Sequence, residues 1–174
     1  MADGKGGLTR KQMLVGGGAL VVGGGAAAAI AIATRDGDGE GGYPRAKVAQ
    51  RGDLQVGKTV EFEYPLEGQK NMLLDMGEAV PGGVGDNSSL VAYSIVCQHM
   101  GCPVGYEEQE KHFMCPCHQT LYDPAREGYV IQGVAQRPLP RVQLEVDGDD
   151  IIAVGVEGLI FGYRDNLAPG EKVA

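Results

Sequence analysis

From residue 47 onward, the apolar residues of the chain are grouped in short segments, each separated from the next by polar residues. The stretch TVEFEY at 59–64 alternates between apolar and polar side chains, a period of two that is typical of a strand with one buried face. Further strand-like segments follow, several of them compact apolar runs: NMLLDM (71–76), LVAYSIV (90–96), YVIQ (129–132), VQLEV (142–146), IIAVGV (151–156) and LIFGY (159–163). Many short strands of this kind predict an all-β fold, an antiparallel sandwich or barrel.

Glycine and proline separate these segments. The chain has 29 glycines among 174 residues, which favours turns over helices. The turn signals are PGGVGDN, DPAREG, RPLPR and DGDD. The sequence EVDGDDIIAV in addition predicts a β-hairpin, because a DG turn lies between two apolar runs. We find no internal repeat and no long amphipathic helix.

The first 33 residues differ from the rest. Their charged side chains are Asp3, Lys5, Arg10 and Lys11, and no charge occurs from Gln12 to Thr34. A charged start followed by a weakly apolar middle is typical of an export signal. The segment TRKQMLV resembles the twin-arginine export motif, with a lysine in place of the second arginine. We therefore expect the protein to be exported, to the periplasm or the outer face of a membrane.

The same segment has two possible fates. Ala31-Ile32-Ala33 offers a small-x-small cleavage site. Alternatively, residues 14–33 remain as an anchor, because about 30 Å of helix is just enough to span a bilayer. Membrane contact is expected only through this segment, if it is uncleaved. The predicted organisation is a signal or anchor over 1–33, a Gly-rich linker over 34–46 and a folded domain over 47–174.

Charge narrows the choice of partners. The net charge is −8, and without the first 33 residues it is −10, from 12 basic and 22 acidic side chains. Phosphate binding requires a basic surface, so nucleic acid is not expected as a partner. An acidic surface of this kind is either simply solvated or attracts a basic protein partner.

Two short sequences contain the candidate metal ligands. CQHMGC at 97–102 and CPCH at 115–118 contain all four cysteines and two of the three histidines. The pairs Cys97-x-His99 and Cys115-x-x-His118 could form a Cys2His2 zinc site. However, each loop supplies one cysteine and one histidine, which suits a two-iron cluster with thiolates on one iron and imidazoles on the other. Both metals remain open at this point.

Two cysteines lie outside this set, Cys102 and Cys117, one in each loop. A disulfide between them would clamp the two loops together. It would close a loop of about 16 residues and stabilise the fold by roughly 3 kcal/mol in the chain-entropy picture. Such a bond needs an oxidising compartment, which agrees with export.

CQHMGCP and CPCHQTLYD resemble the two cluster-binding sequences of the Rieske iron–sulfur family. The resemblance implies one [2Fe–2S] cluster per chain, with Cys97 and Cys115 on one iron and His99 and His118 on the other. It also implies a Rieske-type antiparallel sandwich or barrel, with a small cluster-binding subdomain at about 95–140 formed by the two loops. The imidazoles are expected near the surface, where an electron-transfer partner approaches.

The same resemblance assigns roles to neighbouring residues. Thr120 stands where the family often has a serine whose hydroxyl bonds a bridging sulfide. Tyr122 stands where a tyrosine hydroxyl bonds a cysteine sulfur, and such bonds raise the reduction potential. Residues 133–140 resemble a proline-containing loop that covers the cluster from a third side. His112 has no matching role.

Within the family, AVPGGVG, VAYSIVCQHMGCPV and AVGVEGLIFGY resemble the small subunit of arsenite oxidase. That resemblance implies an electron-transfer subunit without a substrate site, bound to a large molybdenum-containing catalytic subunit. Electrons would leave to a cytochrome c or a small copper protein. The alternatives are a related molybdoenzyme acting on another oxyanion, such as iodate, and a quinol-oxidising subunit of a cytochrome bc-type complex.

Overall fold

The computed structural model describes residues 35–169, and in them strands and turns predominate. The eleven strands are β1 Arg35–Asp38, β2 Pro44–Gln50, β3 Thr59–Glu63, β4 Lys70–Asp75, β5 Leu90–Ser94, β6 Gly105–Glu107, β7 His112–Cys115, β8 Thr120–Asp123, β9 Tyr129–Gln132, β10 Arg141–Asp147 and β11 Asp150–Glu157. Between them lie 3-10 turns at Glu40–Gly42, Arg51–Asp53 and Pro124–Arg126. The predicted all-β fold is confirmed.

The strands form two antiparallel sheets. The larger sheet has seven strands in the order β1-β2-β11-β10-β5-β4-β3, and the smaller has four in the order β6-β7-β8-β9. The four strands of the smaller sheet lie in the chain between β5 and β10, which are hydrogen-bonded neighbours in the larger sheet. The smaller sheet is thus an insertion that leaves and re-enters the larger one at adjacent strands.

Strands β4 and β5 separate two apolar cores. In β4, Leu73 packs into the first core, whereas Met72 and Leu74 pack into the second. All five residues of β5 are buried, because the strand is covered on both faces. This explains the compact apolar runs in the sequence, since a strand buried on both sides has no polar face to alternate.

The second core contains the two cysteines that are expected to bind metal. Cys97 and Cys115 lie in it together with Tyr122, and they pack near Tyr93 and Phe113. Both cysteines are free thiols and only 1% exposed. The second core therefore fixes the positions of the two cysteines that are expected to bind metal.

The predicted hairpin is present. Strands β10 and β11 pair from Arg141↔Glu157 to Asp147↔Asp150, and Gly148 in the turn between them has a φ of 58°. A positive φ is strained for most residues but not for glycine, which is why glycine suits the first position of this two-residue turn, Gly148-Asp149.

One predicted strand is wrong. LIFGY (159–163) forms turns, not a strand, although its second residue, Ile160, is fully buried. Glycines on either side, Gly158 and Gly162, adopt φ values of 90° and 88°, which bend the chain away from the extended conformation. The segment is a connection with one buried anchor.

The segment predicted as a linker, 34–46, is partly sheet. It contains β1 and the start of β2, which pair with each other. A Cβ atom added to Gly39 would lie 2.2 Å from the Val154 carbonyl oxygen, so glycine is required there for close backbone approach rather than for flexibility. The predicted signal or anchor at 1–33 lies outside the described residues. Between 35 and 169, no helix has the length and apolar character needed to cross a membrane.

Candidate metal centre

Residues 97–102 form a tight turn directly after β5, named loop 1 below. The Cys97 N–H donates to the Cys102 carbonyl at 2.8 Å, and the Gly101 N–H donates to the Cys97 carbonyl at 2.9 Å. Gly101 has a φ of 77°, a conformation that glycine adopts without strain. The turn keeps Cys97 buried and leaves His99 half-buried near the surface.

Residues 116–119 connect β7 to β8 and form loop 2. Cys115 at the end of β7 pairs with Thr120 at the start of β8, so Cys115 lies at the base of the hairpin loop. Burial raises the pKa of that thiol, and the backbone N–H groups of Cys117 and His118 act against this by bonding to its sulfur. The His118 side chain is exposed.

A disulfide joins Cys102 in loop 1 to Cys117 in loop 2, as the sequence predicts, with 6.5 Å between the Cα atoms. The Cys115 sulfur lies within 4.8 Å of both disulfide sulfurs. Because neither disulfide sulfur is a thiolate, these three atoms do not make a metal site. The disulfide instead covers one side of the Cys115 thiol.

The remaining four predicted residues meet in two pairs. The Cys97 and Cys115 thiols are both buried, and after burial itself the neighbouring Cys97 thiol helps to raise the pKa of Cys115. The rings of His99 and His118 lie edge to face, with 4.6 Å between their centroids. The structure thus brings Cys97 and His99 of loop 1 together with Cys115 at the end of β7 and His118 of loop 2. His112 lies at the start of β7, the end of the strand away from loop 2, and pairs with Glu107.

The donor set fits an iron–sulfur cluster. Two buried thiols face each other, and the His99 Nδ1 atom is buried without a hydrogen-bond partner. An unbonded buried nitrogen is costly, and a metal ion would satisfy it. Two thiolates and two imidazoles are the ligands of a [2Fe–2S] cluster in which cysteines bind one iron and histidines bind the other.

The Tyr122 hydroxyl is oriented toward Cys97. Its oxygen lies 3.1 Å from the Cys97 sulfur and accepts a bond of 3.1 Å from the Gln98 N–H. The Gln98 N–H occupies one acceptor site of the hydroxyl, and a Cys97 thiolate bound to metal has no proton of its own, so the hydroxyl would donate to sulfur. Burial raises the pKa of Tyr122, so the group stays protonated as a donor. The contribution of Gln98 comes from its backbone, and its side-chain identity gives no signal for it.

Thr120 is fully buried and is contacted by a third segment, 133–139. The Val134 N–H donates to Thr120 Oγ1 at 3.3 Å, which leaves the hydroxyl proton free for another acceptor. A Cβ at Gly133 would lie 2.5 Å from the Thr120 Cα, so only glycine permits this approach. Ala135 and Leu139 then anchor the segment in the second core.

Residues 45–143 match the family described as the Rieske [2Fe-2S] domain. The chain belongs to the Rieske family. A [2Fe–2S] cluster is therefore the cofactor, and the zinc alternative is set aside. When bound, this cluster takes up and releases one electron at a time. The Rieske domain's own part is to hold the cluster, exclude water from the thiolates and donate hydrogen bonds to sulfur.

Similar proteins span nearly the whole Rieske chain. It is 40% identical over 168 residues to the iodate reductase subunit IdrB of Denitromonas iodatirespirans, covering 92% of this chain and 88% of that protein. It is 35% identical over 165 residues to IdrB of Pseudomonas sp. (strain SCT), covering 90% and 83% respectively. The soluble domain of Rieske protein II (soxF) from Sulfolobus acidocaldarius superposes with a TM-score of 0.64 at 30% identity, over 73% of this chain and 85% of that one.

We predict that Tyr122→Phe lowers the midpoint potential of the cluster. The hydroxyl lies 3.1 Å from the Cys97 sulfur and would donate to the thiolate that holds the cluster. Such a bond is stronger when the cluster is reduced and more negative. A differential of about 1.4 kcal/mol, typical of a bond to a charged group, corresponds to about 60 mV for one electron. A redox titration followed by electron paramagnetic resonance (EPR) measures the change. Tyr106→Phe is the control, because it also removes a hydroxyl from an aromatic ring of the same core, whereas the hydroxyl 3.1 Å from the Cys97 sulfur belongs to Tyr122. Equal midpoints for Tyr122→Phe and wild type would contradict the assigned role.

Proposed function

We propose that this chain is the electron-transfer subunit of a molybdenum-containing oxidoreductase that acts on an oxyanion, with iodate as the first candidate. The observation that carries this proposal is the extent of the similarity to the two iodate reductase subunits. It covers 92% and 90% of this chain and 88% and 83% of those two proteins, at 40% and 35% identity. A cytochrome b6-f iron–sulfur subunit of Cyanophora paradoxa also matches 89% of this chain, but at 32% identity and over only 64% of its own length. Molybdenum is inferred from the resemblance of the sequence to small subunits of molybdoenzymes.

In this proposal Cys97 and Cys115 hold one iron, and His99 and His118 hold the other. The two thiols are buried, whereas His118 is exposed, so electrons would enter and leave on the histidine side. Reduction of an oxyanion consumes electrons. The chain would therefore receive them from a soluble cytochrome c or small copper protein and pass them to the large subunit.

Arsenite oxidation is the second candidate, favoured by the resemblance of residues 79–85, 91–104 and 153–163 to the small subunit of that enzyme. The same partners would then work in the opposite direction. The large subunit would release electrons, and the cytochrome or copper protein would be the acceptor. The direction of electron flow separates the two candidates.

The proposal includes export. The disulfide between the two loops supports an oxidising compartment, because the cytoplasm of most organisms keeps such thiols reduced. Residues 1–33, as a twin-arginine-like signal or retained anchor, would provide the route.

The test is EPR on the native complex with three substrates. A dithionite-reduced, desalted sample receives iodate, and we expect the reduced Rieske signal to disappear within a few turnovers. An oxidised sample receives arsenite, and a third receives a quinol. If arsenite produces the signal and iodate does not remove it, the complex is an arsenite oxidase. If only the quinol produces it, the chain belongs to a cytochrome complex and the proposal fails.

A further inference from the structure

Residues 158–166 follow β11 and form a compact segment, named the strap here. It lies outside the part of the chain that matches the Rieske domain. Ile160 is fully buried in the first core. Asn166 is 4% exposed; its Nδ2 donates to the Gly158 carbonyl at 2.8 Å, and its Oδ1 accepts from the Ile160 N–H at 3.0 Å. The strap is thereby closed on itself and fixed to the larger sheet.

Hydrogen bonds also connect the strap to two other segments of the domain, at Tyr43 and Gln69. Asn166 Nδ2 also donates to the Tyr43 hydroxyl at 3.1 Å. The Asn166 carbonyl accepts from Gln69 Nε2 at 3.1 Å, and Gln69 is itself 1% exposed. An asparagine that fills four hydrogen bonds in the interior has little freedom, because breaking any of them leaves a buried polar group unpaired. The strap is thus a rigid extension of the larger sheet.

Phe161 projects from this rigid strap onto loop 1. A Cβ atom at Gly101 would lie 2.9 Å from the Phe161 Cδ1 atom and 3.2 Å from its Cε1 atom. The aromatic ring therefore packs directly against the Gly101 backbone. Gly101 needs to be glycine for this contact as well as for its positive φ.

The contact falls at the residue that closes the loop. The Gly101 N–H donates to the Cys97 carbonyl, Cys102 next to it carries the disulfide, and the Gln98 N–H orients the Tyr122 hydroxyl toward Cys97 sulfur. A ring that holds Gly101 in place restrains each of these bonds. Loop 1 is thus held by loop 2 through the disulfide and by the strap through Phe161.

We propose that Phe161 is a positioning residue for the cluster, acting through Gly101 to hold loop 1 in the conformation that places Cys97 and His99. The proposal rests on the ligand assignment under Proposed function, but not on which oxyanion the complex uses. Leu159 offers a matched control. It lies in the same strap, on the other side of Ile160, and has the same 40% exposure as Phe161, but it does not supply the contact to Gly101.

The experiment compares the full cluster-loaded chain with its variants Phe161→Ala, Phe161→Tyr and Leu159→Ala. Amide hydrogen exchange reports on Gly101 and Cys97, whose N–H groups make the two bonds of the turn. We expect Phe161→Ala to speed exchange at both amides by about tenfold, since a lost aromatic contact loosens local opening. Phe161→Tyr keeps the ring and should restore the slow rate. Leu159→Ala should exchange like wild type.

The second measurement is EPR on samples reduced by dithionite. In Phe161→Ala we expect broader lines, because a looser loop populates several conformations, and a lower midpoint potential corresponding to about a threefold change in the reduction equilibrium, because the bonds to Cys97 sulfur weaken. Unchanged exchange at Gly101 and Cys97 in Phe161→Ala would overturn the proposal that Phe161 restrains loop 1. Faster exchange with an unchanged spectrum and midpoint would reduce Phe161 to local packing and overturn the positioning role. Equal effects from Leu159→Ala would do the same.

Discussion

Replacing His99 or His118 by alanine should abolish the [2Fe–2S] cluster, whereas His112→Ala should leave it intact. Each of the first two removes one imidazole from the pair whose rings are in contact, and an iron that loses a protein ligand is open to water and to hydrolysis. His112 lies in β7 opposite Glu107 and takes no part in that pair. We expect the iron and sulfide content per chain to fall at least about tenfold in His99→Ala and His118→Ala. A residue that only hydrogen-bonds to a ligand typically costs about tenfold or more in metal affinity when it is lost, and the loss of a ligand itself should cost at least as much.

Iron and sulfide analysis, visible absorption and EPR after dithionite reduction provide the measurement. Circular dichroism of each variant serves as the folding control, since the buried core of the larger sheet contains none of the three histidines. A full Rieske signal in His118→Ala, or its loss in His112→Ala, would refute the assignment of ligands.

The double variant Cys102→Ala/Cys117→Ala should lower the free energy of unfolding by about 3 kcal/mol, the value expected for opening a loop of this length. The disulfide is the covalent link between loops 1 and 2, so its loss should also speed release of the cluster. The double variant is preferable to either single one. A single variant leaves a free thiol within 4.8 Å of the Cys115 sulfur, where it would compete as a ligand.

Denaturant titration of wild type, the double variant and reduced wild type gives the comparison. Reduced wild type and the double variant should have similar unfolding midpoints, because both lack the covalent link. Cluster release is compared only between oxidised wild type and the double variant, because reduced wild type carries two free thiols near the Cys115 sulfur. An unfolding midpoint in the double variant equal to that of oxidised wild type would show that packing alone holds the loops.

Much of the site could be predicted because its chemistry is local in sequence. The spacing of Cys97, His99, Cys115 and His118 by itself indicates two metal-binding loops, and the compact runs at 71–76 and 90–96 indicate the strands beneath them. What the sequence does not reveal depends on contacts between distant segments. The Gln98 N–H bond to Tyr122 involves a backbone group that nearly every residue has, so its side chain carries no signal.

The two differences between the predicted and the observed fold have a common physical cause. Apolar content alone does not distinguish a strand from a connection with one anchored side chain, so LIFGY has the composition of a strand although only Ile160 in it is fully buried. Glycine content likewise does not distinguish flexibility from close packing. At Gly39 the chain needs glycine because the Val154 carbonyl is too near for a side chain.

The way the smaller sheet joins the larger one has a consequence for engineering. The insertion leaves after β5 and returns before β10, and these strands are paired through Tyr93↔Arg141 and Ala92↔Val142. Its two ends therefore meet at a fixed seam, so lengthening or replacing the inserted piece changes the closure entropy only slowly with its length. We therefore expect the smaller sheet to tolerate insertions and replacements in its loops without loss of the larger sheet.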